Sequence, residues 1–99
     1  MGIPRAFRKN LMYSMVAARG GPMRARIINL ILGGPLNANQ ITGALGVDYK
    51  TVKHHLEVLL KNHWATSSQD KYGAKFSSTF TGEEKEVFDE IWSQIGKKL

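Results

Sequence analysis

The feature that most constrains this chain is a change of hydrophobic period just past its middle. Between Ala38 and Asn62 the apolar residues recur at helical spacing, interrupted once by the tight sequence Leu45-Gly46-Val47. From Trp64 onward the pattern changes. In Ala74-Lys75-Phe76-Ser77-Ser78-Thr79-Phe80 the larger apolar residues alternate with polar ones, which is the period of a strand. Trp64-Ala65-Thr66-Ser67-Ser68-Gln69 supplies the partner strand, and Asp70-Lys71-Tyr72-Gly73 the turn between them. A helix, a tight turn, a second helix and then a hairpin form an order that few folds accommodate.

The flanking segments are helical. Ile3, Phe7 and Leu11 at spacing four predict a helix over residues 4–18, broken by Arg19-Gly20-Gly21. Pro22 suits the first turn of a second helix, which carries Ile27, Ile28, Leu30 and Ile31 and stops at Gly33-Gly34-Pro35. Asn37 and Gln40 make a capping box for the third helix, whose buried side is expected to hold Ile41, Ala44 and Leu45. Asp48 caps the fourth, from Tyr49 to about Asn62. Thr81 and Glu84 form another capping box at the start of the last helix, with the stripe Val87, Phe88, Ile91, Trp92, Ile95 and Leu99 along it. The expected fold is mainly α with a β-hairpin wing. It is a winged helix-turn-helix with additional N- and C-terminal helices, arranged as one domain over 1–99. Residues 1–21 are an N-terminal extension, 22–80 the winged-helix core and 81–99 the C-terminal helix.

In a helix-turn-helix the second helix lies in the major groove. Each residue advances a helix by about 100°. Val52, Leu56 and Leu59 therefore share a buried arc, with His63 expected among them and His55 beside Leu59. Lys50, His54 and Lys61 fall on the opposite side together with Glu57, and Lys53 and Thr51 flank them. The candidate DNA-contacting residues are Tyr49, Lys50, Thr51, Lys53, His54 and Lys61 from this helix. Lys71, Tyr72 and Lys75 at the hairpin join them. Adjacent side chains such as His54 and His55 diverge too far to chelate one ion, and the chain has no cysteine, so no metal or cofactor is expected.

Charge placement supports the same partner. Residues 1–82 hold eleven basic against three acidic residues, a balance of +8, whereas residues 83–99 carry a balance of −2. A basic region joined to a groove-reading helix is the electrostatic footprint of a nucleic-acid-binding protein. The glycine pairs lack the pattern of a phosphate loop, and no catalytic arrangement has a local signature, so an enzyme is not expected. No stretch approaches the ~18 apolar residues a membrane span needs. The run Leu11–Ala18 is too short and broken to read as a secretory signal, and the expected location is cytoplasmic.

The segment Leu45-Gly46-Val47-Asp48-Tyr49-Lys50-Thr51-Val52-Lys53-His54-His55-Leu56-Glu57-Val58-Leu59 resembles the helix-turn-helix of the ArsR-type winged-helix regulators, most closely small archaeal members. Thr51-Val52, His55-Leu56 and Leu59 match the family spacing. The resemblance covers residues 22–80 well and the terminal helices loosely. It implies a winged-helix fold and DNA binding. His63-Trp64 stands where family members have Gly and an aliphatic residue, at a point where the backbone favours positive φ. The Cys or His/Asp/Glu sets of the family's metal sensors are missing, so metal sensing does not carry over.

The function expected is sequence-specific binding of double-stranded DNA by a transcriptional regulator. The alternative is the same fold used for protein–protein contact or general nucleic-acid binding. A homodimer is expected, because Phe7, Leu11 and Met15 on the first helix and Phe88, Ile91, Trp92 and Ile95 on the last form apolar surfaces outside the helix-turn-helix.

Overall fold

The computed structural model describes residues 2–68, 70 and 73–98. The chain runs α1 (Arg5–Met12), a π-helical turn (Tyr13–Ala17), α2 (Gly21–Leu32), β1 (Leu36–Asn37), α3 (Ala38–Leu45), α4 (Tyr49–Lys61), β2 (Ala65–Ser67), β3 (Lys75–Ser78) and α5 (Gly82–Lys98). It divides into two compact units. One comprises residues 1–25 and 80–99, the other residues 26–79.

In the unit formed by both ends of the chain, Leu11, Met15, Ala25, Val87, Phe88, Ile91 and Ile95 are buried. Phe80 meets Phe7 edge-on at 5.6 Å between centroids, and Phe88 stacks near Trp92 at 6.1 Å. The expected single helix over 4–18 instead ends in the π-helical turn, where the Ala18 N–H reaches back to the Tyr13 carbonyl at 2.7 Å. Two features of α2 match that turn. A Cβ on Gly21 would lie 2.5 Å from the Met15 carbonyl oxygen, so no larger residue fits without backbone movement. The Arg24 side chain is buried and donates to the carbonyls of Ser14 and Arg19.

The second unit holds the helix-turn-helix and the sheet. Ile27, Ile28, Ile31, Ile41, Val52, Leu56, Leu59, Trp64 and Ala65 are its buried apolar residues. The capping box of Asn37 and Gln40 is present, with both hydrogen bonds at 2.8 Å. Gly46 ends α3 in the left-handed conformation at φ 68°. Ala44 is exposed, contrary to expectation. Ile41 is the one fully buried residue of this two-turn helix. Its half-buried neighbours Ala38, Thr42 and Leu45 draw the buried arc to the side away from Ala44.

The sheet has three antiparallel strands in the order β1-β3-β2. Phe76 pairs with Leu36 on one side and Ser67 on the other. β1 was not expected. Two residues are too short to carry a period, and only pairing with β3 makes them a strand. The hairpin strand is also shorter than the alternation predicted. It ends at Ser78, and Phe80 leaves the sheet to join the other unit's aromatic cluster.

Candidate nucleic-acid interface

The site is built on α4. Asp48 occupies the N-cap position with extended backbone, but its side chain does not bond the helix N–H groups as a capping residue would. Its carboxylate instead accepts from the Thr51 hydroxyl. That contact corrects the expected cap, and it occupies the Thr51 hydroxyl within the turn.

The helix presents two chemically distinct faces. Val52, Leu56 and Leu59 are buried, and His55 lies with them at 7% exposure. Tyr49, Lys50, Lys53, His54, Glu57 and Lys61 are exposed, and Thr51 is half-buried. The rings of His54 and His55 sit 5.4 Å apart and tilted by 57°, one exposed and one against the core. The expected phasing of these two histidines is therefore observed.

His63 departs from it. It is exposed and adopts φ 61°, and among the described residues no other non-glycine has positive φ. The helix stops at Lys61, and the chain closes in a Schellman arrangement. The His63 N–H donates to the Leu60 carbonyl and the Trp64 N–H to the Leu59 carbonyl, both at 3.0 Å. That left-handed step turns His63 out of the arc in which a continued helix would have placed it. The backbone keeps the conformation that glycine serves best.

From there the chain passes into the wing. The Thr79 hydroxyl donates to the His63 carbonyl at 2.6 Å, and the Thr79 N–H to the Trp64 carbonyl at 3.1 Å. At the far end of β2 and β3 the Ser68 N–H donates to the Lys75 carbonyl at 2.8 Å. The Lys75 N–H in turn donates to Ser68 Oγ at 2.9 Å. Lys75 is exposed on this strand end. Lys71 and Tyr72, the two contacts expected at the hairpin tip, lie outside the described residues.

Electrostatically the surface of this unit is rich in uncommitted cations. Among the described residues the salt bridges join Arg8 to Glu90 and Lys85 to Asp89, so Lys50, Lys53, Lys61 and Lys75 are held by none. Arg24, by contrast, belongs to no such surface. It is buried at 5% exposure in the other unit, so counting it with the basic residues overstated the charge on offer. Nothing in composition distinguishes it from its exposed neighbours. The nearby Gly20-Gly21 was the available hint that backbone approaches closely there.

The residues expected at a dimer interface need a correction. Leu11, Met15, Phe88, Ile91 and Ile95 are buried within a single chain, because α1 and α5 pack in the same unit and cover one another's apolar stripes. Phe7 and Trp92 remain half-exposed. The large apolar side chain most open to solvent in this unit is one the sequence reading passed over, Tyr13 at 66%.

Residues 21–62 match the family model described as bacterial regulatory protein, arsR family. No curated protein matches the sequence. Several solved structures share the fold. The chain superposes on a predicted DNA-binding transcriptional regulator from E. coli with a TM-score of 0.67 at 18% identity, covering 92% of this chain and 87% of that one. The transcriptional repressor BigR from Xylella fastidiosa gives a TM-score of 0.69 at 13% identity, covering 91% and 84%. A homodimeric winged helix-turn-helix DNA-binding domain of a possible ArsR-family regulator from Mycobacterium bovis gives 0.68 at 13%, covering 99% and 90%. Residues 21–62 thus resemble the helix-turn-helix of the arsR family, and the chain shares the winged-helix fold of these structures.

Proposed function

We propose that this chain is a sequence-specific transcriptional regulator that places α4 in the major groove of double-stranded DNA and works as a homodimer. The observation that carries the reading is the outer face of α4. Lys50, Lys53, His54 and Lys61 are exposed on a helix whose other face is anchored by Val52, Leu56 and Leu59, and among the described residues no salt bridge neutralises the lysines. Base contacts in this motif come from the N-terminal part of the second helix. Tyr49, Lys50, Lys53 and His54 are accordingly assigned to the bases, and Lys61, Lys71, Tyr72 and Lys75 to the phosphates. Thr51, tied to Asp48, positions the helix start.

In this reading residues 22–80 carry DNA recognition, and the terminal segments carry dimerisation. The Mycobacterium bovis domain of similar fold is homodimeric. Half-exposed Phe7 and Trp92, with Tyr13, offer apolar surface for a partner copy. No described helix is long and apolar enough to cross a membrane. We assign the protein to the cytoplasm, where duplex DNA is accessible, and give it no catalytic role. The likeness to small archaeal members of the group rests on residues 45–59.

Selection of bound fragments from random duplex DNA tests the reading. The expected outcome is an enriched palindrome with half-sites about 10 base pairs apart, matching two recognition helices one helical turn apart. A pool that stays random overturns sequence-specific recognition.

A further inference from the structure

Bounded by the start of α3, one flank of α4 and the strands of the wing is an open cleft of about 340 Å³ within the second unit. That volume lies at the lower end of the range for small-molecule sites. Leu56, Leu60 and Phe76 supply the apolar part of its lining, with Leu56 buried and the other two half-buried, and Asn37, Asn39 and Ser67 add polar groups. Exposed Tyr49, Lys53 and Glu57 stand at its edge.

The charges at that edge are selective. Lys53 and Glu57 lie one turn apart on α4, a spacing that puts their Cβ atoms about 5–6 Å from each other. Among the described residues they form no salt bridge. A phosphate or simple carboxylate drawn to Lys53 meets the Glu57 carboxylate, so the cleft is a poor continuation of the phosphate-contacting surface. A simple amine meets the opposite obstacle. A molecule carrying a carboxylate and an ammonium group on one carbon satisfies both, and an apolar side chain on that carbon has the lining to cover.

We propose that this cleft binds a hydrophobic α-amino acid. Its carboxylate pairs with Lys53, its ammonium with Glu57, and its side chain lies over Leu56, Leu60 and Phe76. The occupant engages Lys53 and lies beside Tyr49, both of which the DNA-binding reading assigns to the operator. On that reading the amino acid and DNA weaken one another by the same factor.

The test is a titration of the ¹⁵N-labelled full chain with L-phenylalanine, phenylacetate and 2-phenylethylamine, read at the backbone amides. L-Phenylalanine is expected to shift Leu56, Leu60, Ala74 and Phe76 saturably. The two analogues, each lacking one charged group, should bind about tenfold more weakly or worse. Lys53→Ala and Glu57→Ala should each weaken L-phenylalanine by a similar factor, and Ala74→Trp, which fills the cleft, should abolish it. Both polar-edge variants alter exposed residues, so their thermal unfolding should match wild type. Absence of a saturable shift at these amides overturns the site. So does phenylacetate binding as well as L-phenylalanine, or insensitivity to both edge variants. Saturable binding with unchanged DNA affinity overturns the antagonism. A chain that takes L-phenylalanine in the cleft but binds no duplex supports the site and overturns the regulator reading.

Discussion

The guanidinium of Arg24 donates to the carbonyl oxygen of Ser14 twice, from Nη2 at 3.0 Å and from Nε at 3.2 Å, and again from Nη2 to Arg19 at 2.9 Å. A π-helical turn leaves carbonyls that its own helix does not satisfy, and a planar fork of donors can bind several at once. Burial lowers the pKa of Arg24 from its usual value, an effect Tyr13 opposes, yet an arginine stays charged throughout the neutral range.

Arg24→Ala should therefore destabilise the protein by about 2–3 kcal/mol, since it strips buried carbonyls of a charged donor. Arg24→Lys should restore only part of the loss, because a point charge cannot reproduce the fork. Gly21→Ala should cost about 1–3 kcal/mol by forcing a methyl against the Met15 carbonyl. Urea unfolding measures all three. Wild-type stability for Arg24→Ala would show that the buried hydrogen bonds contribute nothing net.

His63→Gly should stabilise the chain. The left-handed conformation at φ 61° burdens a side chain by about 1–2 kcal/mol. Glycine's greater freedom in the unfolded chain returns part of that, leaving a net gain of about 0.5–1 kcal/mol. In a domain of this size the melting temperature should rise by roughly 2–8 °C. A lower melting temperature would mean that the imidazole makes a compensating contact.

Lys50 and Lys75 should fail differently. Lys50→Ala should cost about 1–3 kcal/mol on the preferred site and relax specificity at one base position. Lys75→Ala should weaken all duplexes alike and reduce the slope of log affinity against log salt by about 1. Fluorescence anisotropy on cognate and scrambled duplexes, repeated across a salt series, separates the two. The assignment of bases and phosphates falls if both variants behave alike.

Sedimentation at micromolar concentration should show a species of twice 11.0 kDa. Tyr13→Glu is the cleanest disruption, because Tyr13 is 66% exposed in the single chain. Trp92→Glu would also disturb the stack with buried Phe88. Tyr13→Glu should release an 11.0 kDa species that keeps its helical content, lower the melting temperature by the stabilisation the dimer supplied, and weaken operator binding by about tenfold or more. Wild type sedimenting as a single chain would rule the dimer out.

Much of this was legible from local chemistry alone. The change of period between Asn62 and Trp64, the Asn37/Gln40 and Thr81/Glu84 capping boxes and the turn at Gly46 depend on residues close in sequence, and all appear as expected. The opposite burial of His54 and His55 follows equally from helical geometry, since adjacent side chains differ by about 100°. Those rules needed no knowledge of what the helix packs against.

Tertiary structure decided what depends on partners distant in sequence. Leu36-Asn37 is a strand because β3 lies beside it, and Phe80 leaves the strand pattern because Phe7, more than seventy residues away, receives it. Arg24 is structural because the Ser14 carbonyl comes within its reach, whereas composition alone counts it as surface charge. The stripes on α1 and α5 read as an interface until packing set one against the other within a single chain. A periodic pattern specifies which face of an element must be covered. Only long-range packing determines whether the cover comes from the same chain, from a second copy or from DNA.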